Sequence, residues 1–271
     1  MPTPPRITTR TPIVGLGFEE GVVELDEHPP VLGVLAFGTV VRPADGTGAV
    51  ILYLRGRQVS PADSGSASAS AEQLARTTGS TVVCARYRTA FPDALDDVHA
   101  TYQHYANAGG GVVVVGERIG AGLAATLLVR LRDFGAARPR CAVLVLALLD
   151  LTMQARSLQF NASADPAFDV TVLRERATGY AGDAVLTEPL LSPVYANLHG
   201  LPPVQLLVAG TDPLLDDSLA FAERAARSRL AVDLRVWPDM ADLRAAKVAA
   251  MTEFIQTWAH ATHHTPETLP G

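Results

Sequence analysis

From residue 49 onward the chain repeats one pattern: a short uninterrupted apolar run, a loop, then a long amphipathic stretch. The runs are AVILYL (49–54), TVVCARY (81–87), VVVVG (112–116), AVLVLAL (142–148), VQLLVAG (204–210) and VDLRVW (232–237). A half-buried strand alternates apolar with polar residues, so Val/Leu runs without alternation require strands covered on both faces. The stretches at 68–78, 92–108, 120–134, 217–229 and 243–261 have helical length and pattern. Strands alternating with such helices close through right-handed crossovers into a mainly parallel central sheet flanked by helices, an α/β architecture. Upstream, residues 13–41 carry short β-prone runs broken by Pro29, Pro30 and glycines, which predicts antiparallel hairpins. Residues 152–190 lack the alternation and exceed a connecting loop, so they are expected to form a short helical lid over the C-terminal edge of the sheet. The tail 263–271 is expected to be flexible.

A chain of 271 residues, 48% hydrophobic and 18% charged, suits one domain spanning 1–271. Net charge −6 and scattered arginines give no footprint for nucleic acid. Met1 to Arg10 has no apolar leader core, and no run approaches the roughly 18 apolar residues of a membrane span. The expectation is a soluble, cytoplasmic protein with no membrane partner. Cys84 and Cys141 each sit inside an apolar run, on strands that are not neighbours, so both read as buried thiols rather than a disulfide. No His/Cys grouping has metal-ligand spacing, and neither a metal nor a cofactor is expected.

The chemistry-bearing segment is VVVVGERIGAGLAATLL: an apolar strand, then Gly116-Glu117-Arg118-Ile119-Gly120, then an Ala/Leu-rich helix. That is the strand-turn-helix frame of a nucleophile elbow, G-x-S-x-G, in which glycines let the chain turn sharply and raise the central side chain above the sheet. Here the central residue is Arg118, and a guanidinium cannot attack a carbonyl.

With this segment the chain resembles the hormone-sensitive-lipase-like family of α/β-hydrolases, over roughly residues 49–258. The family's oxyanion loop is matched by Tyr53-Leu54-Arg55-Gly56-Arg57-Gln58, with one glycine kept. Its Tyr-Arg and Phe-Pro-x-Ala-x-x-Asp segment is matched by Tyr87-Arg88 and Phe91-Pro92-Asp93-Ala94-Leu95-Asp96-Asp97. LLDLT (148–152), Ser192-Pro193 and GLPPVQLLVAGTDPLLDDS (200–218) follow in the family's order. The resemblance implies an α/β-hydrolase fold, puts Asp212 at the triad acid, and puts Asp242 where the triad histidine would stand.

On that frame the expected catalytic residues are Arg118, Asp242 and Asp212, with Arg55, Gly56, Arg57, Glu117 and Ile119 as substrate-binding residues. Arg118 would clamp a carboxylate, enolate or phenolate, Asp242 would act as general acid or base, and the Ile119 N–H would face an oxyanion. Glu117 is a weaker candidate base. The competing reading is an internal salt bridge of Arg118 with Asp242 or Asp212 that plugs an abandoned pocket. His28, His99, His104 and His199 read as surface or helix histidines, and Ser192 and the serines of SGSASAS (64–70) as turn and cap residues. The leading expectation is a non-hydrolytic small-molecule enzyme of epimerase, cyclase or lyase type. The alternatives are a pseudo-hydrolase that binds a ligand or protein partner, and an esterase-type hydrolase with a relocated nucleophile. A small-molecule substrate is expected, an anionic one being suited to Arg118, and a homodimer stays open because this fold often pairs through its edge strand or last helix.

Overall fold

The structure is a computed structural model that describes residues 24–27, 36–43, 49–55, 61–109, 111–164 and 168–259. His28, Gly56, Arg57, most of the 13–41 hairpin stretch and the 263–271 tail lie outside them. The strands are β1 (Glu24–Glu27), β2 (Ala36–Val41), β3 (Val50–Arg55), β4 (Thr81–Cys84), β5 (Val112–Glu117), β6 (Ala142–Val145), β7 (Val204–Ala209) and β8 (Val232–Trp237). They form one sheet in the order β1-β2-β4-β3-β5-β6-β7-β8. β1 and β2 pair antiparallel, β2 joins β4 antiparallel, and β3 to β8 are parallel throughout. The helices are α1 (Pro61–Thr78), α2 (Asp93–Asn107), α3 (Ile119–Asp133), α4 (Ser157–Phe160), α5 (Val170–Ala181), α6 (Leu215–Arg227) and α7 (Met240–Ala259). This is the α/β-hydrolase architecture expected from the sequence.

The unalternating apolar runs are explained by the two faces of the sheet. Val50, Leu52 and Leu54 of β3 and Val112 and Val114 of β5 pack on one side against α2, α3 and α6. Ile51, Tyr53, Val113 and Val115 point to the other side, against α1 and α7. Adjacent residues on a strand face opposite ways, so a strand covered twice must be apolar at every position. Each fully buried Leu or Val contributes about 1.5–3 kcal/mol. β4 ends at Cys84 and β6 at Val145, both three residues before the apolar runs end. Beyond those points the chain is apolar because it lines the crest: Leu148 and Leu151 join Met153, Leu158, Ala177 and Leu191 in a small separate core. That core sits under the 152–190 excursion, which carries α4, a 3-10 turn (Ala162–Ala164) and α5. Cys84 and Cys141 are free thiols on strands separated by β3 and β5, and burial pushes both up to about 12. None of the described helices is long and apolar enough to cross a membrane.

Two glycines fix how closely α3 meets the sheet. A Cβ on Gly120 would lie 2.2 Å from the Leu54 carbonyl oxygen, and one on Gly116 would lie 2.5 Å from the Ala121 Cα. Gly120→Ala is therefore expected to destabilise the protein by the upper end of the ~1–3 kcal/mol typical of overpacking, read as a lowered urea midpoint at unchanged m-value. Gly179→Ala in α5, where an added Cβ meets nothing within 4 Å, is the control. It is expected to be neutral or to gain up to ~1 kcal/mol.

Candidate active site

The turn from β5 into α3 holds Arg118 at φ 53°, ψ −116°, a backbone state a non-glycine residue occupies only at a cost of about 1–3 kcal/mol. Its surroundings enforce it. The Arg118 N–H donates to the Val145 carbonyl at 2.9 Å, tying the turn to the end of β6. The Arg118 carbonyl accepts from Ala121 and Gly122 inside α3 and from the Leu148 N–H at 3.3 Å. The side chain thereby stands at the crest, 37% exposed. Ile119 opens α3, so its N–H has no acceptor within the helix, and its side chain packs on the small core beneath the cap.

Asp212 follows β7 and is fully buried. Its N–H donates to Ala209, its carbonyl accepts from Leu215, and its Oδ1 accepts from Leu214 at 2.7 Å. Asn161, reaching over from the cap, donates to the carbonyls of Gly210 and Asp212, both at 3.0 Å. Asp212 Oδ2 lies 3.6 Å from Arg118 Nη1. Of the two pairings open from sequence, Arg118 thus takes the one with Asp212. Its long side chain spans from the elbow to the acid by itself and sets a cation where an imidazolium would otherwise meet that carboxylate. Asp242 stands in the first turn of α7, exposed, below a cap in which Asp239 Oδ1 accepts from the N–H groups of Ala241 and Asp242. Its carboxylate makes no hydrogen bond or ion pair among the described residues.

Glu117 and Arg55 turn away from the crest toward each other. Glu117 Oε1 accepts from Lys247 Nζ at 2.7 Å, and Oε2 lies 3.4 Å from Arg55 Nε. Burial by itself pushes the Glu117 carboxyl up, but the Lys247 ammonium and then Arg55 outweigh it and hold it below the usual carboxylate range. An enclosed carboxylate kept ionised by two cations is a poor proton acceptor. Tyr53 lies beside it, and burial and then the Glu117 charge raise its phenol well above the ordinary value. The Tyr87-Arg88 motif has a physical role here. Tyr87 donates to the Arg55 carbonyl at 2.6 Å and so ties down the end of β3, while Arg88 grips Asp97 through Nε at 2.9 Å and Nη2 at 2.7 Å.

Ser192 donates to the Leu186 carbonyl and accepts from the Leu151 N–H, and Ser157 donates to the Pro213 carbonyl and accepts from the Asp216 N–H. Both hydroxyls are spent on holding the cap to the crest, and SGSASAS lies within α1. His99 stacks on Phe134 on α2, and His104 and His199 are exposed. No group of three or more His, Cys, Asp and Glu side chains is arranged for a metal among the described residues. Lys247, Asn161 and Asp217 are the site residues that sequence reasoning missed. Only Lys247 left a trace, as the one lysine in the chain.

The family model of the alpha/beta hydrolase fold matches residues 51–242, and the chain belongs to that family. An acetyl-hydrolase of Streptomyces hygroscopicus is 31% identical over 207 residues, 74% of this chain and 69% of that protein. An esterase of Mycobacterium tuberculosis, LipI, is 30% identical over 233 residues, 79% and 71% of the two chains. A hormone-sensitive lipase from a metagenome library superimposes with a TM-score of 0.78 at 28% identity, covering 89% of this chain and 86% of its own. Another curated relative, an Acinetobacter venetianus esterase, is spanned over only 51% of its length. These relatives overturn the expectation of a non-hydrolytic epimerase, cyclase or lyase and support an esterase-type hydrolase instead. That expectation rested on the loss of a hydroxyl at residue 118. Such a loss says where attack does not start, not that no ester is cleaved.

One prediction concerns the floor of this site. Asp217 Oδ2 accepts from the N–H groups of Leu149 and Asp150 at 2.8 and 3.0 Å. Burial nevertheless pushes its carboxyl up to about 7, with Asp150 and Asp216 adding to the rise. The folded chain therefore binds a proton more tightly than the unfolded one, and stability falls as pH rises from about 4 to about 7. Above pH 7 the full cost applies, on the order of 4 kcal/mol. Asp217→Asn keeps an oxygen for both N–H groups, so it is expected to raise the denaturation midpoint at pH 8 and leave it nearly unchanged at pH 4. Equal effects at the two pH values would contradict this account.

Proposed function

We propose that the chain is an esterase-type hydrolase of small carboxylic esters, with its attacking oxygen supplied by a group other than residue 118. The observation that carries this reading is that relatives named as acetyl-hydrolase and esterase align across the elbow, the cap and the acid loop together. The shared frame provides what ester cleavage needs besides the nucleophile. Attack on the carbonyl carbon makes a tetrahedral oxyanion, for which the Ile119 N–H and the Arg118 guanidinium are the available donors. Asp212 keeps that guanidinium oriented, and the exposed Asp242 carboxylate is the candidate acceptor for the attacking group's proton. Collapse then breaks the ester C–O bond, and the leaving alkoxide takes up a proton. A permanent cation at the crest also favours esters that carry an anionic group. Net charge −6 is consistent with a cytoplasmic protein acting on small molecules rather than on nucleic acid.

The test is turnover of p-nitrophenyl acetate by the purified chain, combined with a fluorophosphonate label mapped by peptide mass spectrometry. Turnover is expected, with any label falling outside the Gly116–Gly120 turn. Arg118→Ala is expected to lower kcat/KM by about 100-fold, the scale on which one oxyanion donor acts, or about 2.7 kcal/mol. No turnover above that of heat-denatured protein overturns the reading.

A further inference from the structure

The chain holds one lysine among 22 basic residues, and the fold spends it on the carboxylate next to the elbow. Glu117 is the last residue of β5 and the immediate neighbour of Arg118. Its two oxygens reach different elements: Oε1 meets Lys247 on α7, and Oε2 faces Arg55 at the end of β3. The Lys247 and Arg55 side chains are 18% and 17% exposed, and that of Glu117 is 11% exposed. In so dry a setting a charge left without its partner is strongly disfavoured. α7 also carries Asp242 one and a half turns earlier, so whatever fixes α7 against the elbow fixes Asp242 relative to Arg118.

We infer that Lys247 is a positioning residue whose ammonium, clasping Glu117 beneath the elbow, locks the Arg118–Ile119 turn in register with α7 and the end of β3. Nothing in the hydrophobic packing duplicates this tie. The sheet-facing residues of α7, Val248, Met251 and Ile255, are apolar and without direction, and they tolerate small slides that an ion pair at 2.7 Å does not. The groups facing Glu117 are Lys247 from α7 and Arg55 and Tyr53 from β3. Removing Lys247 leaves Arg55 as the single cation beside a buried carboxylate, so the balance moves toward the neutral acid. The elbow should then acquire a dependence on pH that it lacks with Lys247 in place.

The experiment uses the full chain labelled with 15N and with 13C at the glutamate carboxyls, as wild type, Lys247→Met and Lys247→Arg. In wild type, the Glu117 carboxyl and the Arg118 and Ile119 amides are expected to stay flat from pH 5 to 9. In Lys247→Met, Glu117 is expected to titrate within that window, and the two elbow amides to move with the same midpoint. Lys247→Arg should restore the flat profile. Elbow amides that stay flat while Glu117 titrates overturn the proposal, because the tie is then local to the carboxylate; so does a Glu117 that stays ionised in Lys247→Met. Should Lys247→Met not fold, Glu117→Gln/Lys247→Met removes the stranded charge. Its Arg118 and Ile119 amide shifts should differ from wild type yet stay constant with pH, and shifts identical to wild type again overturn the proposal. The catalytic consequence rests on the esterase reading. If that reading holds, kcat of Lys247→Met falls about tenfold at pH 6 and recovers as Glu117 ionises, at unchanged KM. A wild type without turnover removes the esterase reading and leaves the amide result standing by itself.

Discussion

The whole crest of this molecule depends on one close approach. α3 presses onto the end of β3 so tightly that the Leu54 carbonyl occupies the place of a side chain on Gly120. Because the helix starts there, the chain leaving β5 must reverse within a single residue, and Arg118 takes up a left-handed φ to do it. The hydrogen bond from its N–H to Val145 and those accepted by its carbonyl keep the strained turn from relaxing. The backbone thus retains the sharp elbow of a hydrolase although the residue at its tip is a cation. Strain of this kind persists only where surrounding contacts over-determine it, and here they come from three strands and a helix at once.

Charge is distributed at this crest in two separate pairs, and they do different work. Arg118 with Asp212 is half in solvent: the carboxylate is sealed, the guanidinium exposed. It can meet an incoming ligand while remaining anchored from behind. Glu117 with Lys247 and Arg55 is largely enclosed and ties structural elements together rather than facing substrate. Adjacent residues on one strand end up in opposite roles because the β5 pleat sends Glu117 toward α7, while the turn that follows sends Arg118 up. The cap is stapled to the acid loop by directed polar contacts of the same kind. Asn161 holds the carbonyls of Gly210 and Asp212, Asp216 accepts from the Ser157 N–H, and Asp217 accepts from Leu149 and Asp150.

The identity of one or two reactive side chains is a weak guide to reaction class when the frame around them is intact. Arg118 and Asp242 suggested chemistry without hydrolysis, whereas the relatives sharing the frame from β3 to α7 are acetyl-hydrolases and esterases. Ester cleavage depends on orienting a carbonyl toward donors and excluding bulk water as much as on a particular nucleophile. Those requirements are met by backbone and shape, which change more slowly than a single side chain.

The sheet, its parallel order from β3 onward, the flanking helices and the elbow were legible in the sequence, because each is written in local periodicity: apolar runs that never alternate, helical stripes, and glycines at Gly116 and Gly120 on either side of a turn. The separation of Cys84 from Cys141 followed from the same strand order. The pairing of charges was not legible. Sequence alone left Arg118 free to choose Asp212 or Asp242, placed Glu117 and Arg55 among substrate contacts, and passed over Lys247, which lies 130 positions from its partner. Ion pairs of that kind are fixed by where long side chains end after seven strands and their helices have stacked, a sum of small rotations and offsets that no local pattern records. Periodicity therefore determined the scaffold, and only the packed tertiary structure decided which charges meet, since Coulomb attraction in a dry interior acts on distance in space and is blind to distance along the chain.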